Sequence, residues 1–556
     1  MKYFVINNTS RAANYGIGTY ISQLKECLAE KRDIELSFID MCADVKEYTI
    51  EQDAAGDVHY KIPQIVQRME DSLYCKNAFY FLVQHIYPTD NERYVFHFNY
   101  FQHYQLALRL KSFLPNCHII LTVHYWGWGF ALNGNTIKFK QFIQQESLYP
   151  EKNWDNEEKY AGIKNDIVNN YIHDRKFLCL ADSIITLSIH SQNLIVKDYQ
   201  VDASKVSMLY NGLEDSGLQW NKGNLSEGNV QNIIFVGRLD ETKGVHYLMK
   251  AFRNLYHSNH SLHLYIIGDG DFEKYLSYAE DIWEAVTFTG KVDREKIISL
   301  YKKATIGVLP SFNEQCSYTA IEMMMYGIPF VGTDSTGLKE MLMSVPDNIV
   351  HINEYNFEEA VFVEDLTKKM ERLLNDESYR NESSVIMRET YTKSYTMDKM
   401  ASQYQHLISS ILKQETLIAN DMLLELDKHM ISLINSRPDI DMSFFGMTGI
   451  GYYIWRRICG LKNRNTKEDV VHNYMLQEHM IYYLDWMINE IKDNYDSEIN
   501  TSSEFYAMIS ELYADGFYQT AVNMIIEILN LNMKEPLDTI TTKSIYGNAL
   551  KIYYYE

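Results

Sequence analysis

The feature that most restricts this chain is an alternation that runs, stops and starts again. Through residue 213, short apolar runs (KYFVIN, IELSFID, YVFHFN, HIILTVH, ADSIITLS) alternate with helix-like segments such as TYISQLKECLAEK. Apolar runs of that length, separated by helices, predict a parallel sheet covered on both faces. The pattern breaks at 214–230, EDSGLQWNKGNLSEGNV, which is rich in Gly, Asn and Ser and has no periodicity. Such a stretch reads as an interdomain linker. The alternation restarts at NIIFVG and continues through LHLYIIG, AVTFTG, IGVLP and IPFVGT. Two doubly wound, Rossmann-like α/β domains are therefore expected, at 1–213 and 231–395. Domains of this type place ligands at the C-terminal ends of their strands, in a cleft between them.

Two further regions depart from the pattern. The segment between His124 and Ala181 is polar, rich in aromatic residues and expected to be mostly helical. From residue 396 the strands stop. A helix is expected at 396–415 and a separate all-α extension at 416–556.

Composition removes several classes of function. A chain of 556 residues is too long for one hydrophobic core. Its net charge of −22 argues against a general nucleic-acid binder, which needs phosphate-neutralising cations. The seven cysteines (Cys27, Cys42, Cys75, Cys117, Cys179, Cys316 and Cys459) are scattered and form no CxxC pair. Neither a disulfide framework nor a structural zinc site is expected. MKYFVINNTS looks like a first strand rather than a signal peptide, and no apolar run reaches the roughly 18 to 20 residues of a membrane span. A cytoplasmic location is the expectation. Arg456, Arg457, Lys462 and Arg464 make a local basic patch, readable as a contact for a membrane surface or acidic acceptor, or as a solvated helix face.

Several motifs carry candidate chemistry. Gly16-x-Gly18 follows a strand and opens a helix, but Ile21 stands where a dinucleotide fingerprint wants a third small residue. The pair permits either close backbone approach to a phosphate or sugar, or a tight turn with positive φ. In FVGRLDETKG, Arg238 follows a strand and Lys243 precedes a helix, so both cations can converge on a diphosphate. GDGD (268–271) has the Asp-x-Asp spacing of a metal site, yet it directly ends a strand and reads as a turn. In SFNEQCSYTAIEMMMYG, Ser317 is the expected N-cap and Gly327 the C-terminal cap of a short helix. Glu314 then lies ahead of the helix and Glu322 within it. Amides at residues 316–319 suit a phosphate. Carboxylates beside them suit hydroxyls, which a nucleotide sugar carries at both ends.

Taken in order, GIGTY, ILTVH ending at His124, ADSIITLS, KVSMLYNG, FVGRLDETKG, IIGDGD and PSFNEQCSYTAIEMMMYGIPFVGTDSTGLKE resemble the family-4 retaining glycosyltransferases of GT-B fold. The resemblance covers roughly residues 1 to 412. It implies transfer of a sugar from a nucleotide donor, UDP-linked by preference, with retention of configuration and without a metal or other cofactor. The implied acceptor is a glycan, a lipid-linked sugar or a polypeptide. By the same resemblance, His124, Arg238, Lys243 and Glu314 are the implied catalytic residues. Gly16, Gly18, Gly237, Gln315, Cys316, Ser317, Tyr318 and Glu322 are implied to line the donor, with Glu322 on its ribose. Many relatives have glycines after the first glutamate, where this chain has Gln315, Cys316, Ser317 and Tyr318, which leaves the donor sugar open. Trp126 and Trp128 either line the acceptor or belong to the core. A catalytically silent glycosyltransferase-like subunit is the rival reading, and intact Arg238, Lys243, Glu314 and Glu322 weigh against it. The extension falls outside the resemblance. Its FFGMTGIGYYIWRR stretch is loosely similar to helix starts of lanthionine-synthetase-like barrels, but Cys459 is its only cysteine, so their metal set is missing. A docking or acceptor-presenting role is expected there.

Overall fold

A computed structural model of the chain describes residues 1–8, 16–29, 34–64, 71–86, 92–114, 116–144, 162–217, 230–413, 417–437, 447–461, 467–493, 508–509 and 512–529. Most of the expected linker, Lys462 and Arg464 lie outside the described residues. The chain divides into two compact units. One comprises Met1–Gln67, Val95–Tyr104 and His118–Ile411; the other comprises Arg68–Tyr94, Gln105–Cys117 and Leu412–Glu556.

The first unit is built on the two expected sheets. The first sheet uses β1 (Lys2–Asn8), β2 (Glu35–Ala43), β3 (Thr49–Gln52), β4 (Val58–Pro63), β5 (Tyr94–Phe98), β6 (Cys117–Val123), β7 (Ser183–Thr186) and β8 (Val206–Met208). Their order is β3-β4-β2-β1-β5-β6-β7-β8. β1 pairs in parallel with β2, from Lys2 opposite Glu35 to Asn8 opposite Met41. β3 is an antiparallel edge strand on β4. The second sheet has β9 (Gln231–Val236), β10 (Leu262–Ile267), β11 (Val286–Gly290), β12 (Ile306–Leu309), β13 (Phe330–Thr333) and β14 (Ile349–Val350). It is wholly parallel, in the order β11-β10-β9-β12-β13-β14.

These orders decide where a ligand can sit. Strand order reverses between β1 and β5 in the first sheet and between β9 and β12 in the second. At such switch points the flanking connections leave in opposite directions and open a crevice at the strand ends. Asn99 follows β5 and His124 follows β6; Gly237 follows β9, and Glu314 lies in the loop after β12. The motif residues therefore gather at the two switch points.

The helix Met397–Lys413 ties the unit together. The Met397 amide donates to the Leu213 carbonyl at 2.9 Å. The Tyr404 hydroxyl bonds that of Tyr20, on the helix Gly16–Ala29. One continuous core contains Tyr3, Leu24, Ile185, Ile234, Ile321, Met387 and Tyr404, so apolar burial runs through both sheet domains.

In the second unit, the helices Leu417–Ser436, Met447–Leu461, Lys467–Asp493 and Gln519–Leu529 bury a core around Trp455, Tyr483 and Trp486. A Cβ on Gly451 would lie 2.1 Å from the Tyr483 ring, so the second glycine of the GIGYY stretch is a packing contact between two helices. Asp427 is fully buried and holds the Arg457 guanidinium, with Nη2 at 2.7 Å and Nε at 2.9 Å. It also accepts from the Tyr453 hydroxyl and from His472 Nε2, each at 2.7 Å. These partners hold its carboxyl below the usual carboxylate range despite burial. Arg457 is thus not part of a surface basic patch. The sequence showed a cluster of cations, whereas its counter-charge lies 30 residues away on another helix.

Candidate active site

The second domain supplies charge. Asp240 to Gly244 make a single 3-10 turn, and Gly244 at φ +66° closes it in the left-handed region. A side chain at Gly244 would also strike the Pro310 carbonyl, with Cβ at 2.2 Å. The turn is therefore pressed against the loop after β12, where the Phe312 amide donates to the Thr242 carbonyl at 2.7 Å. This contact brings Lys243 Nζ to 2.5 Å from Glu314 Oε1, with both side chains mostly shielded. Glu314 is fixed from behind: its amide donates to Thr336 Oγ1 at 3.1 Å, and its carbonyl accepts from the Gly337 amide at 2.8 Å. Arg238 is more open and meets Asp240 at 3.1 Å. The Asp269-x-Asp271 pair sits in a turn, as read: the Asp269 carbonyl accepts from the Leu239 amide, and Asp271 caps the short helix Phe272–Leu276.

The helix Tyr318–Tyr326 starts and stops where the sequence placed it. Ser317 Oγ accepts from the Ala320 amide, and Gly327 ends it in the left-handed conformation. Glu322 accepts a hydrogen bond from the Tyr301 hydroxyl at 2.9 Å. Burial is the largest influence on Glu322 and raises its pKa, although Tyr301 and Arg294 oppose that shift. Cys316 is buried and its thiol is pushed up to about 12, so it packs and does not react as a thiolate near neutral pH. Gln315 is buried and accepts from Ser188 Oγ at 2.8 Å, and the Cys316 carbonyl accepts from Asn211 Nδ2 at 3.0 Å. Both contacts cross from the second domain to the first.

The first domain supplies neutral groups. His124 Nε2 lies 2.9 Å from Asn99 Oδ1, and its ring meets Tyr20 edge-on with centroids 4.5 Å apart. Burial lowers the His124 pKa to about 3, and that of neighbouring His97 likewise to about 3. Gly16 and Gly18 open the helix Gly16–Ala29 without positive φ, which removes the tight-turn alternative. A Cβ on Gly16 would stand 3.7 Å from the Tyr318 ring, so this helix start meets the start of the helix Tyr318–Tyr326 across the seam.

Trp126 and Trp128 are not acceptor platforms. They are 1% and 2% exposed. Trp126 stacks on Tyr199 at 4.8 Å, and Trp128 stacks on Phe139 at 4.2 Å. The described helices of the insertion, Gly127–Ala131, Thr136–Gln144 and Lys164–Leu180, need an aromatic core, and these two rings supply part of it.

Sequence reasoning missed the seam. Glu340 of the second domain accepts from the amide of His190 at 2.9 Å, with the Ile189 amide also on it, and so caps the helix Ile189–Lys197 of the first. Glu354 does the same for Thr136–Gln144, accepting from the Ile137 amide at 3.0 Å, while its own carbonyl accepts from Asn135 at 2.7 Å. Asn99, Tyr20 and Tyr301 were missed as well. Asn99 left a trace as the polar residue that ends the apolar run YVFHF beside the switch point, and Tyr20 as the last residue of GIGTY.

With this geometry in place, similarity to known proteins is informative. Residues 219–390 match the family model described as glycosyl transferases group 1. An uncharacterized glycosyltransferase of Methanocaldococcus jannaschii is 32% identical over 186 residues, which is 31% of this chain and 47% of that protein. The chain thus spans about half the length of that relative. Among solved structures, sucrose-phosphate synthase from Thermosynechococcus elongatus aligns with 74% of this chain and 99% of its own, at a TM-score of 0.57 and 16% identity. Anabaena HepE in complex with UDP-glucose aligns with the same share of this chain and 100% of its own, at a TM-score of 0.52 and 14% identity. The two-sheet architecture is the GT-B fold. The fold is thus that of the GT-B class, and within it residues 219–390 carry the likeness to glycosyl transferases group 1.

Proposed function

We propose that this protein is a metal-independent, retaining glycosyltransferase that moves a sugar from a UDP-linked donor to a glycan, lipid-linked or polypeptide acceptor. The observation that carries the reading is the Lys243–Glu314 pair at 2.5 Å, set one turn ahead of a capped helix start. A donor diphosphate competes with Glu314 for the lysine. As it takes Lys243, Glu314 is released to accept from a sugar hydroxyl. Glu322, one turn further on, accepts from the ribose as it now accepts from Tyr301. When the glycosidic bond breaks, negative charge collects on the leaving phosphate, and Lys243, Arg238 and the helix-start amides oppose it. The likeness to a structure that holds UDP-glucose supports the choice of nucleotide.

The test is slow hydrolysis of a panel of nucleotide sugars by the full chain, followed by NMR with and without EDTA. Selective release of one sugar from a UDP donor, initially as the anomer present in that donor, supports the reading. Release of the opposite anomer overturns retention, and loss of activity in EDTA overturns metal independence. If no donor binds or turns over, the silent-subunit reading takes its place. We also assign the helical extension an acceptor-presenting role. Acceptor-dependent protection from hydrogen exchange within 447–493 supports it; protection confined to the strand ends of the sheet unit overturns it.

A further inference from the structure

We infer that Asn99 is a positioning residue: it fixes His124 in the form protonated at Nε2, so that Nδ1 meets a substrate hydroxyl as an acceptor. This rests on the reading above only in taking His124 to face substrate.

The inference begins with the amide. Asn99 is 2% exposed at the end of β5. Its Nδ2 donates to the Ile6 carbonyl of β1 at 3.1 Å. A carbonyl can only accept, so the amide nitrogen must face Ile6 and the amide oxygen must face His124. That oxygen, 2.9 Å from His124 Nε2, can in turn only accept, so Nε2 must carry the proton. A neutral imidazole has one N–H, and Nδ1 is left with a lone pair. Nδ1 has no protein partner among the described residues.

The ring is packed on one side by an aromatic neighbour. The Tyr20 ring stands against it at 77°, with centroids 4.5 Å apart. Tyr20 is itself anchored by Thr122 Oγ1 at 2.9 Å and by the Tyr404 hydroxyl. The titratable neighbours are Tyr20 on the helix Gly16–Ala29 and His97 on β5, whose proton affinity His124 lowers. Burial keeps the His124 ring neutral through the physiological range. An imidazole in this state can receive a hydrogen bond at Nδ1 but has no proton there to give to a departing phosphate. His124 therefore orients a hydroxyl and does not act as the general acid.

The test uses the full chain labelled with ¹⁵N-histidine, with the His124→Gln spectrum assigning the resonance. In the wild type, Nδ1 is expected to show the shift of an unprotonated ring nitrogen and Nε2 that of a protonated one. Asn99→Ala is expected to give averaged tautomers and to lower the turnover of donor hydrolysis about tenfold while leaving KM for the donor little changed. Asn99→Asp is expected to raise the pKa of His124 and to create an acid limb in the pH profile, with activity lost as pH falls through the new value. A protonated Nδ1 in the wild type overturns the inference, whether or not the variants fold. So does an Asn99→Ala protein that keeps both the single tautomer and full turnover. The nitrogen spectrum is read without any donor, so absence of donor hydrolysis with the expected tautomer counts against the proposed function and not against the role of Asn99.

Discussion

At the switch point of the first sheet, the candidate site is made of Tyr20, His97, Asn99, Thr122 and His124, hydroxyls and imidazoles held neutral by burial. At the switch point of the second, it is made of Lys243 with Glu314, Arg238 with Asp240, and Glu322 in the adjoining helix. One fold plan thus supports two different electrical environments. The buried imidazoles do not gain charge near neutral pH, so under the proposed function stabilisation of a leaving phosphate has to come from the second domain. The hydroxyls and ring nitrogens of the first are suited to orientation.

If that division is right, Lys243→Ala produces the largest effect. It should lower the turnover of donor hydrolysis by about 10² to 10³, the cost of losing one preorganised charge at the transition state. A single-turnover assay at saturating donor checks this. An equal loss from His124→Gln would break the comparison, because it would place comparable charge work in the first domain.

The second effect is on stability and follows from the depressed histidines. His97 and His124 both titrate at about 3 when folded, against about 6.5 when unfolded. The unfolded chain therefore binds more protons between those values. The stabilising contribution is complete above about pH 6.5 and is lost as pH falls towards 3, by up to about 1.4 kcal/mol per pH unit for each group. Chemical denaturation of the wild type between pH 7 and 4.5 should show this fall, and His124→Gln should make it shallower.

Glu322 titrates the other way. Its folded pKa is raised, mainly by burial, so its ionised form is a burden to the free protein as pH rises through that value. Glu322→Gln should stabilise the free protein near pH 8 relative to pH 4, by about 1.4 kcal/mol for each pKa unit removed. It should at the same time weaken UDP binding. Calorimetry at the two pH values, with a UDP titration, measures both. Unchanged UDP affinity would detach Glu322 from the ribose.

The smallest effects belong to the seam. Glu340→Ala and Glu354→Ala each remove a cap from a helix of the other domain and should cost about 1 kcal/mol of stability. Turnover should change less than in Lys243→Ala. Thermal melting and the donor assay together check that ranking.

How much of this was legible in the sequence depends on the range of the interaction. The longer apolar strands and the Ser317 and Gly327 caps were readable because periodicity and capping act over a few residues, whereas the polar edge pair β3 and β4 and the two-residue β14 were not read. Lys243 and Glu314 were readable as members of ordered motifs, though their direct pairing was not. The contacts of Asn99 with His124 and of Tyr301 with Glu322 depend on strand order and helix packing across 25 and 21 residues. The tryptophans misled for a related reason. Aromatic residues after a strand-end histidine suit a binding loop, and only the stacking on Tyr199 and Phe139 shows that the insertion uses them internally.

The two glutamates of the seam bear on how the domains of such a fold can be recombined. Glu340 and Glu354 of the second domain accept from amides at the starts of two first-domain helices, adding to the caps that Ser188 and Asn135 supply from within the first domain. A hybrid that joined this first domain to a second domain from another protein would keep those two caps but leave the His190 and Ile137 amides without an acceptor unless the graft brought carboxylates to the same places. Compatibility between the two domains then depends in part on two glutamates, which an exchange of the second domain would have to carry with it.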